Sequence, residues 1–136
     1  MRKLLAFFIL LSSTSLWADS FSDGVKAVNA GKYYDAYVIW WPLARQGDAD
    51  AQHNLAVLYD LGLGIAQNQV SAVKWYYRAA QQEHADSQNN LGMMYFYGQG
   101  VDKDLNLAKK WLVKAVEHNH TQAQINLQRV NQVLSQ

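Results

Sequence analysis

Histidines and short glycine motifs are the residues of this sequence whose types and spacing could do chemistry. There are four histidines, and two of them, His118 and His120, lie two positions apart. A zinc site needs three or four ligands that converge on one point, and only Glu117 adds a carboxylate close to this pair. We therefore interpret the histidines as polar residues at helix boundaries, and the sequence predicts no metal site.

Two glycine-x-glycine stretches, at 62–64 and 98–100, have part of the pattern of a phosphate-binding loop. Such a loop follows a strand and carries a third glycine or a Lys-Ser/Thr pair. Both stretches follow helical patterns and lack those residues, so we predict turns between helices. No Ser-His-Asp order or pair of carboxylates stands out either. The sequence thus indicates no catalytic residue and no cofactor site.

The charge balance argues against nucleic-acid binding. Twelve basic and eleven acidic side chains leave a formal charge of +1, whereas a nucleic-acid-binding domain shows a basic stripe and a high pI. The lysine-rich segment 102–117 also carries three acidic residues, which is typical of a solvated helix face. The chain has no cysteine, which excludes disulfides, thiol catalysis and thiolate zinc sites.

The first eighteen residues have the layout of a secretory signal peptide. A basic start is followed by an unbroken apolar run of eight residues, Leu4–Leu11, and then by a mostly small and polar stretch. A membrane-spanning helix needs about 20 apolar residues. We therefore predict cleavage after Ala18, with Ser15 as the alternative, and a periplasmic or secreted protein without a stable membrane anchor. Loss of the two basic residues at the start would change the charge from +1 to −1.

The rest of the chain repeats with a period of 36 residues. Segments 49–84 and 85–120 are identical at 13 of 36 positions, against about two expected by chance from average composition. The Gln-x-Asn-Leu pattern of both segments recurs at 124–127. We predict one domain, 19–136, with a half unit at 20–48, the two full repeats and a C-terminal capping helix at 121–134.

Each full repeat has the pattern of two helices separated by a glycine turn. Apolar residues recur at three- and four-residue spacing over 50–61 and 69–82 in the first repeat. Asn68 and Asp104 stand just before the second helices, where a short polar side chain caps the free amides. Gly62 suits the left-handed conformation that closes a helix. Trp75 and Trp111 share one repeat position and are predicted to be core residues, because a tryptophan buries a large area.

These residues resemble the Sel-one-like repeat (SLR) family, a longer relative of the tetratricopeptide repeat. The family pattern has an Ala-x-x-x-Leu-Gly-x-x-Tyr helix, a Gly-x-Gly turn and a Lys-Ala-x-x-Trp-Tyr-x-Lys-Ala-Ala helix, which segments 51–59, 62–64 and 72–80 follow. The second repeat keeps Leu91, Gly92, Tyr95 and Trp111. The resemblance covers about residues 21–130. It implies an all-α fold in which αα-hairpins stack into a right-handed superhelical solenoid, as in exported bacterial members.

The sequence departs from the family pattern at several places. Ala56 replaces the usual glycine, with little change in size. Glu83 and Asn119 stand where the first unit has Gly47. A glutamate in the left-handed conformation costs about 1 kcal/mol, which predicts that the turn at Glu83 is reshaped. Pro42 is predicted to kink or break its helix.

The resemblance implies a non-enzymatic scaffold, adaptor or regulator in the cell envelope that holds a protein or peptide partner. In a solenoid of this kind, the first helix of each unit lines the inner, concave face. The groove positions of the tetratricopeptide relatives correspond here to Asp50, His53, Val57, Asp60, Asp86, Asn89, Met93, Phe96, Gln122, Ile125 and Arg129. Met93 and Phe96 are the expected anchors, because flexible and aromatic apolar groups carry interface energy.

Two alternative functions stay open at this point. One is a periplasmic immunity protein that blocks a toxin. The other is a hydrolase that acts on cell-wall material or β-lactams. The second is weakened because the family members to which β-lactam hydrolysis is attributed have a disulfide in each repeat, and this chain has no cysteine.

Overall fold

The computed structural model describes residues 13–136, and these residues form helices and turns without any strand. The helices are α1 (Ser13–Asn29), α2 (Tyr33–Arg45), α3 (Ala49–Leu61), α4 (Gln69–Gln81), α5 (Ala85–Tyr97), α6 (Leu105–Glu117) and α7 (Thr121–Leu134). The predicted all-α fold class is confirmed. Residues 1–12 of the predicted signal peptide lie outside the described residues. Helix α1 begins at Ser13, in the last part of the predicted signal peptide, and continues past Ala18.

The helices are stacked in the order of the sequence. Each helix packs on the next one along the chain, and α5 also contacts α7. Segment 20–48, predicted as a half unit, holds an αα-hairpin of its own, made by α1 and α2. Because sequential helix pairs lie side by side, the structure is the αα-hairpin solenoid that the repeat predicts.

The hydrophobic core runs through the stack as three adjoining clusters. The large buried side chains in these clusters are Trp40, Leu43, Leu55, Leu58, Tyr76, Leu91, Met94, Trp111, Leu112 and Val130. Fully buried alanines lie among them, which lets neighbouring helices approach closely. Trp111 is buried as predicted, while Trp75 at the equivalent position is partly buried and packs against the first two clusters.

Short polar side chains begin the helices where the sequence predicts them. The side chains of Asn68 and Asp104 each accept a hydrogen bond of 2.9 Å from a backbone amide in the first turn of α4 and α6. Asp48 does the same for α3, at 2.7 Å. Gly62 ends α3 in the left-handed conformation, with φ +66. These local signals explain why the observed helix bounds lie within one residue of the predicted ones.

The turn at Glu83 is not reshaped, and that expectation is wrong. Glu83 and Asn119 adopt φ +65 and +60, in the same left-handed region as Gly47 at +103. All three turns make the same pair of backbone hydrogen bonds back to the last turn of the helix. The side chain of Glu83 is held from outside the turn, because it accepts a hydrogen bond of 2.8 Å from His118. This bond, the main cause, lowers the pKa of the Glu83 carboxyl.

Proline does not interrupt the second helix. Helix α2 continues across Pro42 to Arg45 as a single element, so of the two predicted outcomes a break is not found. The amide of Gln46 donates to the carbonyl of Pro42 at 3.1 Å, which keeps the last turn of α2 closed.

The second glycine of each Gly-x-Gly turn lies against the preceding helix pair. A Cβ at Gly100 would overlap the backbone of Gln69, and one at Gly64 would overlap the backbone of Tyr33 and Tyr34. Each turn therefore touches the start of the second helix of the unit before it. The motif is thus a turn between two helices, as predicted, and it also packs one repeat against the unit before it.

We expect Gly100→Ala to destabilise the protein more than Gly31→Ala. Both glycines have positive φ, +68 and +72, so both changes carry the cost of about 1 kcal/mol for a left-handed L-residue. Only the new Cβ at position 100 meets backbone, since nothing lies within 4 Å of it at position 31. Urea unfolding should show a further loss of about 1–3 kcal/mol for Gly100→Ala. Equal losses in the two variants would contradict the packing role of the turn.

Candidate binding cleft

The first helices of the two full repeats, α3 and α5, border an open cleft of about 280 Å³. It is lined by Val57, Asp60, Leu61, Tyr76, Asn90, Met93, Met94, Tyr97 and Gln99. The volume lies just below the ~300–1,000 Å³ of small-molecule pockets. The cleft has room for one or two amino-acid side chains.

The cleft exists because α3 and α5 lie side by side on the helix pair beneath them. A small residue stands in the middle of each, at Ala56 and Gly92, and both are fully buried or nearly so. A Cβ at Gly92 would come within 2.8 Å of Leu112 Cγ, so α5 lies close against α6. Tyr76 of α4 is almost completely buried and contributes to the lining. Its burial raises the pKa of its hydroxyl, which stays protonated.

Three of the predicted site residues meet in this cleft. Val57 comes from α3 and Met93 from α5, and their side chains contribute apolar surface to the lining. Asp60, the third, is the acidic residue of the lining, and its carboxylate accepts a hydrogen bond of 3.3 Å from Gln69. The arrangement offers apolar contact with one carboxylate beside it.

Asp50 and Asp86 lie outside the cleft and join one repeat to the next. Asp50 is 3.2 Å from Nε2 of His84, and Asp86 is 2.9 Å from Nε2 of His120. In both histidines, Nδ1 accepts a hydrogen bond from a backbone amide and thereby caps α5 or α7. Since an amide can only donate, the ring hydrogen lies on Nε2 and faces the aspartate. The interpretation as helix-boundary residues is confirmed for His84 and His120, whereas it is wrong for His53, which lies inside α3.

His53 lies in a packed polar cluster next to the same junction. Its ring centroid is 4.6 Å from that of His84 and 5.5 Å from that of Tyr76. Its Nδ1 is 2.8 Å from the hydroxyl of Ser87. Ser87 is fully buried, so this serine–histidine pair is closed to any substrate. Burial, helped by the nearby His84, lowers the pKa of His53 from 6.5 to about 4.

Asn89 and Phe96 belong to the packing around the last helices of the stack. Asn89 is only 8% exposed and accepts a hydrogen bond of 2.8 Å from the side chain of Asn126 in α7. Phe96 packs against the third core cluster, as part of Met93 also does. The structure therefore places Asn89 in the contact between α5 and α7 and Phe96 against the core that α6 and α7 form, while Met93 serves both this core and the cleft.

The remaining predicted residues lie on α7. Gln122 donates to Asn126 at 3.4 Å, and Ile125 is exposed. Arg129 donates a hydrogen bond of 3.1 Å to the hydroxyl of Tyr97. Only Arg129 therefore reaches the cleft, through a tyrosine of its lining.

Leu61 and Tyr97 are lining residues that the groove positions do not include. They occupy the same position in the two repeats, directly before the turn glycine, and are 61% and 54% exposed. A large apolar residue in front of both turn glycines was a visible signal in the sequence. It was missed because the groove positions of the tetratricopeptide relatives end one residue earlier.

Neither a metal cluster nor a membrane span is found in the part of the chain that the structure describes. Among the side chains that the structure describes, those of residues 20–136, no three histidine or carboxylate groups come together in a way that would hold a metal ion. No helix within residues 13–136 is both long and apolar enough to cross a bilayer.

We expect the stability of the protein to fall as the pH is lowered from about 6.5 to 4, in part because of His53. The unfolded chain binds a proton at this residue over that range, while the folded chain, with a pKa of about 4, does not. Between pH 7 and pH 4.5, urea unfolding should show that the free energy of unfolding falls by about 2–3 kcal/mol more in the wild-type protein than in His53→Asn. Asparagine is the residue at the equivalent position of the second repeat. The same pH dependence in both proteins, or a His53 ring that titrates near 6.5 by NMR, would contradict this account.

Comparison with solved structures shows the same fold in two bacterial proteins. A protective antigen of uropathogenic Escherichia coli strains, which displays an SLR fold, is 29% identical with a TM-score of 0.77, over 81% of this chain and 24% of that one. A Sel1 repeat protein from Oxalobacter formigenes is 32% identical with a TM-score of 0.77, over 87% of this chain and 51% of that one. The chain thus spans about a quarter and about half of their lengths.

No curated protein matches this chain. The Sel1 repeat family, by contrast, matches residues 49–84 and 85–120. The matched segments have the same bounds as the two period-36 units. Together the two segments make up more than half of the sequence. The sequence motifs, the stacked hairpins and the two solved structures agree with this match, and the chain belongs to the Sel1 repeat family.

Proposed function

We propose that this protein is an exported, non-enzymatic scaffold or regulator of the bacterial cell envelope that holds a protein or peptide partner in the cleft between α3 and α5. Proteins built of Sel1 repeats typically serve protein–protein interaction. The two solved structures described above come from bacteria, and one of those proteins is a protective antigen. The partner, the envelope location and the use of this cleft are the proposal.

The observation that carries the proposal is the apolar rim of the cleft. Leu61 and Tyr97 stand exposed at its edge, while Val57 and Met93 provide apolar surface inside. Covering such a surface is favourable by about 25 cal/mol per Å². Tyrosine and methionine are also enriched in protein interfaces. A partner side chain that binds here would cover apolar surface that no described residue of this chain covers.

The polar groups around the cleft give a bound segment its orientation. Arg129 fixes the hydroxyl of Tyr97 and thus the position of that ring. Asp60 and Asn90 present oxygen and amide groups beside the apolar surface, so a bound segment can pair its backbone amides with them. Binding by this mechanism depends on complementary shape and on hydrogen bonds, and no covalent bond forms or breaks.

Export is supported by the amino-terminal pattern and is compatible with the packing of α1. Two of the described contacts between α1 and α2 lie after Ala18 in the sequence: the indole of Trp40 donates to the carbonyl of Phe21 at 3.2 Å, and the two rings stack with centroids 5.9 Å apart. Gly24 lies directly against the same tryptophan. Cleavage after Ala18 would leave these contacts in place.

We predict that a photo-reactive amino acid at position 97 cross-links a partner in intact cells, whereas the same group at position 110 does not. Tyr97 lies at the cleft, while Lys110 is exposed on α6, a second helix of a repeat. Mass spectrometry of the cross-linked product identifies the partner. Cross-links of equal yield from both positions, or from position 110 alone, would contradict the use of the cleft.

We expect Leu61→Asp to weaken capture of that partner by about tenfold or more, because burying a leucine side chain contributes about 2 kcal/mol. Leu61 is exposed, so helical content and melting temperature should stay unchanged. Leu134→Asp is the matched control, since Leu134 is an exposed leucine at the end of α7. Capture that is unaffected by Leu61→Asp, or equally weakened by both changes, would argue against the cleft.

Export is tested separately. We expect the protein recovered from the periplasm or medium to begin at Asp19, as measured by intact mass and amino-terminal sequencing. Full-length protein confined to the cytoplasm would refute export without touching the role of the cleft.

A further inference from the structure

A second apolar surface lies on α2, away from the cleft. Tyr34, Val38 and Trp41 are 59%, 51% and 37% exposed. Their spacing of four and three residues places them on one face of the helix. Arg45, one turn further, extends this face and holds its guanidinium 4.7 Å from the centre of the Trp41 ring. We name these four residues the α2 stripe.

The repeat supplies an internal comparison for the α2 stripe. One and two periods later, the same positions are Val70, Lys74, Tyr77 and Gln81 in α4, and Asn106, Lys110, Val113 and Glu117 in α6. Lysine stands in both at the position of Val38. The framework of the helix is the same in all three, so packing inside the solenoid does not require an apolar residue at position 38. Helix α2 has apolar or aromatic residues at the first three of these four positions, whereas α4 and α6 have lysine at the second.

We propose that the α2 stripe binds the α2 stripe of a second copy of this chain, with the two helices antiparallel. The stripe has spacings of four, three and four residues, which read the same in both directions. In an antiparallel pair, Val38 therefore faces Trp41 of the second copy, and Tyr34 faces Arg45 of the second copy. Each contact occurs twice by symmetry, as in other twofold interfaces.

Charge complementarity supports a second copy as the occupant. Helix α2 has Asp35 in its first turn and Arg45 in its last. Antiparallel pairing brings the carboxylate of each copy next to the guanidinium of the other, and so matches opposite charges at both ends of the interface. A parallel pair would place like charges together. A guanidinium facing Tyr34 is also favourable as a cation–π contact.

The size of the surface predicts a weak, reversible dimer. A 13-residue helix is about 20 Å long, and the neighbouring exposed Val70 and Tyr77 of α4 widen the patch. The area that two such patches can bury against each other is less than the ~1,600 Å² of a standard interface. The cleft is formed by the first helices of the repeats, whereas the α2 stripe lies on a second helix, so dimer formation leaves the cleft open.

Sedimentation equilibrium of the mature chain from about 10 to 500 µM tests this inference, a range suited to an interface below standard size. We expect a monomer–dimer equilibrium in the wild-type protein. In Val38→Lys, which introduces the lysine that α4 and α6 have at this position, the dissociation constant of the dimer should be at least about tenfold larger. Val133→Lys, at an exposed valine of α7, should leave the equilibrium unchanged. A wild-type protein that stays monomeric throughout, or a Val38→Lys variant that dimerises as the wild type does, overturns the proposal.

A charge exchange tests the antiparallel arrangement. Asp35→Arg alone should weaken the dimer, because it places two positive groups together at each end. The double change Asp35→Arg with Arg45→Asp should restore most of the affinity. Failure of the double change to recover any affinity, in a chain that keeps its helical content, rules out this arrangement of α2. None of these changes touches the cleft, so their outcome is independent of partner capture.

Discussion

The packing of each helical hairpin on its neighbour is the interaction on which the rest of this structure depends. Tyr76 of α4, the largest fully buried side chain among the described residues, shares its cluster with Leu91 of α5 and Trp111 of α6. No hairpin thus completes its core without the next one. The close contact of Gly100 with the start of α4 sets how near the hairpins can come. Because this contact recurs with the repeat, α3 and α5 lie side by side, and the cleft is the space left between them.

Polar links give the stack its register, and they also decide where the inner face stays open. The histidine caps at the start of α5 and α7 reach back to an aspartate in the first turn of the preceding first helix, α3 or α5. Between α5 and α7, Asn89 bonds to Asn126 and Phe96 joins the core, so these positions serve packing. Between α3 and α5 the equivalent of Phe96 is Asp60, which leaves apolar walls with a carboxylate at the edge. The same framework is therefore closed at one junction and open at the other.

Most of the fold could be predicted from the sequence because its signals are local or periodic. Asn68, Asp104 and Gly62 act within one turn of the chain, and the helix ends follow from them. The left-handed Glu83 could not be predicted, because its side chain is held by His118 from the next repeat. The candidate site was predicted in part. Val57, Asp60 and Met93 share the cleft, whereas the burial of Asn89 depends on the position of α7, which no pattern within one repeat shows.

The central claim is that a partner binds in the cleft between α3 and α5, and methyl NMR tests it most directly. The chain has three methionines, and the two beyond Met1, at 93 and 94, both line the cleft. With ¹³C-labelled methionine methyl groups, the mature protein gives two signals, both from residues that line this site. The account predicts that both signals shift when the cross-linked partner, once purified, is added in stoichiometric amount. A complex that forms while both signals remain in place would contradict it.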